Sequence, residues 1–574
     1  MLADIVLPSP QSSDWLLFNE PIELFQTKSK SEVVSMLKEV EGRVKKDRLF
    51  AAGFVSYEAA SGFDSQLETK DPGTMPLVFF GLYRSPRIIS RPVTTQPPPS
   101  ILWENMTGSS DYGAALQFIK REIAKGNTYQ VNHTVRLRAA AVSPWDFFCH
   151  VLGGGKYSSY IDTESFSVVS SSPELFFNLD GALLRSDPMK GTAKRGLTLN
   201  EDLQNREWLM GSDKNRAENL MITDMVRNDI GRVANPGSVK VSDLYRIEKF
   251  PTVWQAVSTV VGETDADITD IFRAMFPGAS VTGAPKKASM GFISRLEETP
   301  REIYTGTIGF FGPERKAQFN IAIRTTWIDK TKNVMEYGVG GGIVWDSEFD
   351  EELSEIAIKS QVLSSTQRED NFDLLETMRW SSGEGVVNFS GHINRLRSSA
   401  EYFDFKFVLQ EIEKAVSDAT SSLRPHDYRI RLTLSKDGLA HVHCEEFNTV
   451  SSEVDIVLAS KAIDVKNPFL YHKTTNRKIY EDAAISATQS QEVILFNSKG
   501  YVTESTIANL VYSLDDILYT PPVRDGLLPG TMREKLLGEG KIMERSLSID
   551  ELSEVSDFFL ISSLRGWRRA KLVR

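Results

Sequence analysis

The stretch SDPMKGTAKRG (residues 186–196) places Lys190 between a proline-led turn and a Gly-Thr pair. A lysine is ordinarily a solvated surface charge, so a nucleophilic role for Lys190 has to be argued from its surroundings. Those surroundings are large. A chain of 574 residues exceeds one ordinary core, and two or more domains are expected. With 41% apolar and 25% charged residues the composition is that of a globular protein.

The net charge of −11 argues against a nucleic-acid surface, since phosphate needs cationic partners. Cys149 and Cys444 are too few and too far apart for a disulfide scaffold or a thiolate metal cluster, and suit a reducing compartment. The start, MLADIVLPSPQSSDW, lacks a cationic region and so predicts no secretory signal. No apolar run approaches the roughly 20 residues of a membrane helix. A cytoplasmic protein is expected.

Residues 1–100 read as a mixed segment closing in the Pro-rich RPVTTQPPPS (91–100). From about 105 to 362, helical patterns such as DYGAALQFIKREIAKG alternate with strand-like runs such as KAQFNIAIRTTWI. The polar SSTQREDN (364–371) is the expected linker. It divides a first domain, 1–363, from a second α/β unit, 372–574.

Within the first domain, polar groups gather in GNTYQVN (126–132), SSSPELF (170–176), PMKGT (188–192), DKNRAENLMITDMVRNDIGRV (213–233), IYTGTIGFFG (303–312), FNIAIRT (319–325) and GGGIVWDSEFDEELSEI (340–356). Alone, GGG could be a turn. Glu352 and Glu355 are three apart in a helical pattern and share a face, which is unfavourable unless a cation sits between them. A hard ion such as Mg²⁺ takes oxygen ligands of this kind. Glu218 could supply another carboxylate. Arg324 and Tyr304 have the chemistry to hold a substrate carboxylate, Arg bidentately.

In content and order these blocks resemble the chorismate-utilising enzymes, which include anthranilate synthase component I, aminodeoxychorismate synthase component I, isochorismate synthase and salicylate synthase. The resemblance implies an α/β (α+β) fold with a central site for chorismate and Mg²⁺, the ion held by Glu218, Glu352 and Glu355. It implies substrate contacts from Gln130, Thr192, Tyr304, Arg324 and Gly341. Water-adding members carry a lysine base where this chain has Gln130, so that chemistry is disfavoured. Anthranilate-forming members typically have alanine at Lys190. Aminodeoxychorismate synthases have lysine there, which implies attack on the chorismate ring at C2, departure of the C4 hydroxyl and addition of ammonia at C4.

Glu174 matches the family's general acid. An amine nucleophile must be neutral to attack, and Lys194, Arg195 and the ion are candidate neighbours to favour that state. Two residues depart from common family usage: Asn215, where an acid is frequent, and Gln255, where His is frequent. Neither cysteine sits in a nucleophile-elbow context, so the resemblance implies a separate glutamine amidotransferase, or free ammonia, as nitrogen source. DWLLFNEP replaces the Leu-Leu-Glu-Ser pattern of tryptophan-inhibited relatives, and tryptophan feedback is not expected.

The second unit contains FDLLETMRW (372–380), GHINRLRSSAEYFDF (391–405), YRIRLTLSKDG (428–438), FLYHKTTNRKIYEDA (469–483), YVTESTIANLVY (501–512), LLPGTMREKLL (527–537) and SSLRGWRRA (562–570). Lys473 follows an apolar run. Glu504 lies between two strand-like runs, an awkward place for an unpaired acid. Thr531 can cap the helix that follows it, with Glu534 three residues on, and free N–H groups at that helix start suit a phosphate.

These blocks resemble the class IV aminotransferase family, pyridoxal phosphate enzymes of fold type IV, which commonly dimerise. The resemblance implies that Lys473 carries the cofactor, Glu504 faces its ring nitrogen, and Arg395 and Thr531 bind its phosphate. Ser562 replaces a commoner Asn. Arg431 is a candidate for a substrate carboxylate, with a structural salt bridge as the alternative.

The order of the two units is similar to that of fused enzymes in which aminodeoxychorismate synthase component I precedes aminodeoxychorismate lyase. Expected is a chain that makes 4-amino-4-deoxychorismate and cleaves it to 4-aminobenzoate and pyruvate, serving folate synthesis. The alternatives are an anthranilate synthase-like unit fused to a true aminotransferase, transamination in the second unit, and a non-catalytic chorismate-binding scaffold.

Overall fold

In a computed structural model of the chain, which describes residues 3–360, 363, 372–448, 453–485 and 491–573, strand alternation organises the first unit. Along Ala3–Pro8, residues Ala3, Ile5 and Leu7 enter one apolar cluster while Val6 enters another. Side chains with period two thereby give each strand two faces. Two ten-stranded sheets result among the described residues. The first runs from Gly283–Ala284 through Gln130–Ala140 and Val334–Ile343 to Ala3–Pro8, Trp15–Phe18 and Arg87–Ile89. The second runs from Met189–Lys194 through Val253–Glu263 to Phe50–Val55, Val78–Tyr83 and Glu23–Thr27.

The two sheets face each other across Ile5, Phe18, Phe54, Phe79, Phe166 and Trp327. Helices cover their outer faces. Phe272, from the helix Ile268–Met275, meets Phe177 and Phe319 of the second sheet at ring distances of 5.4 and 5.0 Å. Strands from 1–100 are integral to both sheets, and pairing throughout this unit is antiparallel, so its class is α+β.

One buried ion pair ties the first unit together. Arg301 is 2% exposed and bonds Glu297 through both carboxylate oxygens, at 2.7 and 2.9 Å. Its remaining N–H groups reach the carbonyls of Val281 (2.8 Å) and Asn132 (2.6 Å), and its guanidinium lies 4.7 Å from the centre of the Tyr57 ring. Burial alone would raise the Glu297 pKa, but Arg301 reverses this and holds it down to about 2.

The second unit comprises Arg195–Asn205 and Glu369–Arg574, and the first Met1–Lys194 and Arg206–Arg368. The sequence predicts an uninterrupted first domain to residue 363; Arg195–Asn205 departs from this. Arg195 Nε bonds Asp202 at 2.7 Å, the Tyr402 hydroxyl donates to the Gly196 carbonyl at 2.8 Å, and Leu197 joins an apolar cluster with Leu470 and Tyr480. The expected linker, 364–371, lies outside the described residues.

In this unit a four-stranded sheet, Gly385–Val386, Leu374–Ser381, Tyr428–Leu434 and Ala440–Glu446, packs against the helices Phe389–Phe403 and Leu409–Thr420. A nine-stranded sheet mixes parallel and antiparallel pairs. Pairing of Glu504 with Asn509 closes six of its strands into a ring. That closure fixes the position of Glu504.

Removing one partner of a buried pair strands the other's charge. Arg301→Met is expected to lower the stability of the first unit by about 3–5 kcal/mol, read from urea unfolding; a loss below about 1 kcal/mol would show that the pair is not what holds these segments.

Candidate active sites

The first unit encloses a cavity of about 680 Å³. Lys190 reaches it because its strand, Met189–Lys194, is irregular. Register against Val253–Glu263 slips between Met189 and Thr192, the signature of a bulge, which re-aims a side chain. Gly191 accommodates the slip with φ +103°, and a Cβ there would meet Asn215 at 3.2 Å and Ala256 at 3.3 Å. Gln255 then clamps the irregular segment: its amide N–H donates to the Gly191 carbonyl at 2.8 Å, and the Thr192 hydroxyl donates to its amide oxygen at 3.0 Å. Gln255 thus has a structural role in this chain. Asn215 lines the cavity and donates to the Ser212 hydroxyl at 2.8 Å.

The glycine run is not a turn. Residues 338–342 lie within the strand Val334–Ile343, where missing side chains let neighbours close on the backbone. A Cβ at Gly338 would strike the Tyr304 ring, at 2.2 Å. One at Gly341 would lie 3.1 Å from Glu352 Oε2 and 3.4 Å from Glu355 Oε1. One at Gly342 would lie 2.5 Å from Gln130 Nε2 and 2.9 Å from Lys190 Nζ. Gln130 is fully buried, and neither amide atom has a hydrogen-bond partner among the described residues. A buried amide left unpaired is costly, which marks this as a place for a polar ligand.

Glu174 is buried at the cavity and accepts a bond from the Ser280 hydroxyl at 2.7 Å. Burial pushes its pKa up to about 7, against the opposing pull of Ser280, the Met189 N–H and Lys190. The helix Phe349–Ser360 supplies Glu352, Glu355 and Lys359. Burial raises the Glu352 pKa, and Glu355 adds to the effect. Burial opposes ionisation of Glu355 too, yet Lys359, 2.6 Å away, brings its pKa below the usual range.

Arg324 lines the cavity from the break between two strands, at φ +51°, and donates to the Gly154 carbonyl at 2.9 Å. Tyr304, beside it, lies under the Arg136 guanidinium at 5.2 Å.

The structure therefore brings Lys190, Glu174, Thr192, Tyr304, Arg324, Glu218, Glu352 and Glu355 to one cavity, with Gln130 and Gly341 against its wall. Two expectations change. Arg195 is engaged within the second unit, where its Nε bonds Asp202 at 2.7 Å. Glu218 does not join Glu352 and Glu355: its carboxylate stands 3.3 Å from Lys190 Nζ, and among the described residues no three His, Cys, Asp or Glu side chains gather closely enough to hold a metal.

The second unit has a cavity of about 220 Å³ lined by Lys473, Glu504, Arg395, Thr531, Ser562 and Arg431, among others. Burial, and then Arg395, lower the Lys473 pKa to about 8, so roughly one amine in ten is neutral at pH 7. Burial raises the Glu504 pKa to about 7. Its Oε1 accepts from the Tyr480 hydroxyl (2.8 Å) and the Leu528 N–H (3.0 Å), and its Oε2 from the Asn509 amide (3.0 Å). Arg395 is pinned by Glu376 through two bonds of 2.9 and 2.6 Å. Glu376 also accepts from His392 Nδ1 at 2.6 Å, and His392 Nε2 meets the Ser563 hydroxyl at 2.8 Å.

Sequence reasoning missed Ser280, Lys359, Glu376, His392 and Tyr480. An acid at Glu376 inside the apolar strand Leu374–Ser381 was the available signal for one. The others are brought in by different elements, with no local pattern.

A family profile described as chorismate binding enzyme matches residues 3–365. The chain belongs to the chorismate binding enzymes. A second profile, amino-transferase class IV, matches residues 373–573. Among curated relatives, aminodeoxychorismate synthase component 1 of Bacillus subtilis is 35% identical over 53% of this chain and 66% of its own length. An anthranilate synthase component 1 of Haloarcula marismortui is 37% identical over 46% of this chain and 56% of its own. The chain therefore spans little more than half to two thirds of these relatives. Anthranilate synthase component I of Streptococcus pneumoniae shares the fold, with a TM-score of 0.53 at 21% identity over 62% of this chain and 93% of that one. Identity does not separate the two activities; residues in the cavity must.

A carboxyl with its pKa raised from 4.5 to about 7 holds its proton below neutral pH, is half ionised there, and loses the rest as pH climbs further. Difference infrared spectra of the parent against Glu174→Gln are expected to show a carboxylic acid band at pH 6 that is gone by about pH 8. Its absence at pH 6 would mean that water reaches Glu174.

Proposed function

We propose that this chorismate binding enzyme makes 4-amino-4-deoxychorismate from chorismate and ammonia in its first unit, and cleaves that product to 4-aminobenzoate and pyruvate in its second. The observation that carries the reading is the amine of Lys190, bulged into the first cavity within reach of Gln130 and Glu218 and sharing it with a carboxyl that is half protonated near pH 7. An alanine there would leave ammonia or water to attack directly.

Lys190 Nζ forms a bond to C2 of the ring as both ring double bonds shift, to C1=C6 and C4=C5, and the C4–O bond breaks. Glu174 donates the proton with which the hydroxyl leaves as water. The proton shed by Nζ has the Glu218 carboxylate 3.3 Å away. Ammonia then bonds to C4 and the C2–Nζ bond breaks, returning the lysine. Arg324 and Tyr304 hold substrate carboxylate, and Gln130 spends its unpaired amide on the ligand.

Glu352 and Glu355, two oxygen donors meeting at Gly341, fit a Mg²⁺ ion. Such an ion neutralises a substrate carboxylate against the protein's own. Glu218 joins that set only by giving up Lys190.

The second cavity fits pyridoxal phosphate. It offers a buried amine with a depressed pKa, a buried carboxyl for the ring nitrogen, and a cation and hydroxyls, Arg395, Thr531 and Ser562, for the phosphate. That cofactor, when bound, withdraws electrons from the carbon bearing the substrate nitrogen. Lys473 takes the C4 proton, the C3–O bond breaks, and the proton is returned to the departing enol as pyruvate. The ring becomes aromatic, which makes the step strongly favourable.

The ammonia is proposed to come from a separate glutamine amidotransferase. Burial raises both thiol pKa values, Cys149 to about 11, the opposite of an activated nucleophile. 4-Aminobenzoate would serve folate synthesis. Among the described residues no helix is long and apolar enough to cross a membrane.

Incubation with chorismate, Mg²⁺, an ammonium salt and pyridoxal phosphate is expected to yield 4-aminobenzoate and pyruvate. Anthranilate would overturn the reading of Lys190. Lys190→Ala is expected to abolish amination yet still cleave supplied aminodeoxychorismate, and Lys473→Ala to accumulate it. With Glu174 as the acid, Glu174→Gln should lower kcat for amination under saturating ammonia by about 10²–10⁴-fold. An unchanged kcat would remove Glu174 from the role.

A further inference from the structure

The second cavity has more positive charge than the cofactor and the internal carboxylates account for. Arg429 and Arg431, two apart on the strand Tyr428–Leu434, project to one face and both line it. Arg565 joins them from the turn after the strand Asp557–Ser562, part of the other sheet of the same unit.

Most arginines in this neighbourhood are paired. Arg429 meets Glu445 at 2.6 Å, Arg379 meets Asp427 at 2.7 Å, and Arg568 meets Glu492 at 2.5 Å. Arg431 and Arg565 differ: among the described residues neither guanidinium has a carboxylate within ion-pair distance or a side-chain hydrogen bond. Burial, with Arg568 and Arg429 nearby, makes the charge on Arg565 unfavourable. Arg565 is partly buried and Arg431 exposed; reaching one cavity from two sheets, they offer two separate binding points for anionic groups. The phosphate end has its own cation in Arg395, which Glu376 holds in place.

We propose that Arg431 and Arg565 each bind one carboxylate of a dicarboxylate substrate, and that Arg565 is the residue that makes this cavity prefer a dicarboxylate to a monocarboxylate. The inference rests on reading the second unit as a lyase: 4-amino-4-deoxychorismate carries a ring carboxylate and an enolpyruvyl carboxylate, whereas a simple amino acid has one. Since each group is bidentate and charge-assisted, losing either guanidinium removes binding shared by ground and transition states.

The test uses the full chain loaded with pyridoxal phosphate. Calorimetry compares isophthalate with benzoate, and pyruvate release from supplied aminodeoxychorismate gives kcat and KM. The parent is expected to bind isophthalate roughly tenfold or more tightly than benzoate. Arg565→Gln is expected to erase that preference and to raise KM roughly tenfold, with a smaller effect on kcat. Arg565→Lys should recover part of both, and Arg431→Gln gives the same test from the other sheet.

Survival of the isophthalate preference in both Gln variants would overturn the proposal. So would loss of pyridoxal phosphate from Arg565→Gln, which would place this arginine at the phosphate. If the parent released no pyruvate but Arg565→Gln still erased the preference, the lyase reading would fall and the two-carboxylate site would stand.

Discussion

Arg301 is the group on which the first site's geometry depends. Its guanidinium cannot leave the interior without water to replace Glu297, Val281, Asn132 and the Tyr57 ring. In satisfying those groups it joins the strand that carries Gln130 and Asn132 to the segment that carries Ser280, and it lies three residues before Tyr304. Thr134 adds two bonds to the same Glu297 oxygen, at 3.0 and 2.8 Å. A cavity whose polar walls come from distant parts of the chain needs such a fixed point, because none of those segments is held by local structure alone.

The two sites use burial toward opposite ends. Desolvation disfavours whichever form is charged. In the first site it raises the Glu174 pKa to about 7, so that half the carboxyls hold a proton near neutral pH, as the proposed donation requires. In the second it works on a base, releasing Lys473 toward the neutral amine, with Arg395 adding to the effect. Neither shift needs an unusual residue. Each needs a common residue in a dry place, with its neighbours chosen to limit how far the shift runs.

Backbone permissiveness does as much as side-chain chemistry in the first site. Gly191 allows the bulge that aims Lys190, and Gly341 and Gly342 leave room for two carboxylates on one side and for Gln130 and Lys190 on the other. In sequence the GGG run is ambiguous between a turn and a crowded strand. Only the pairing of Gly341 with His133 and of Gly342 with Asn132 places it mid-sheet.

By itself the sequence singled out the residues proposed to react. Lys190, Glu174, Lys473 and Glu504 stand in blocks whose order and content carry the family pattern, and strand alternation with helical spacing disclosed an α and β chain of two units. These features are local, so a linear reading reaches them. Tertiary structure decided what depends on distance. It paired Glu218 with Lys190, took Arg195 to Asp202 in the second unit, and gave Gln255 its clamp on Gly191. It also left Arg431 and Arg565 facing one cavity from two sheets. Coulomb energy and desolvation vary with separation in space and not with separation along the chain, which is why charge pairing, pKa and cavity shape waited for the fold.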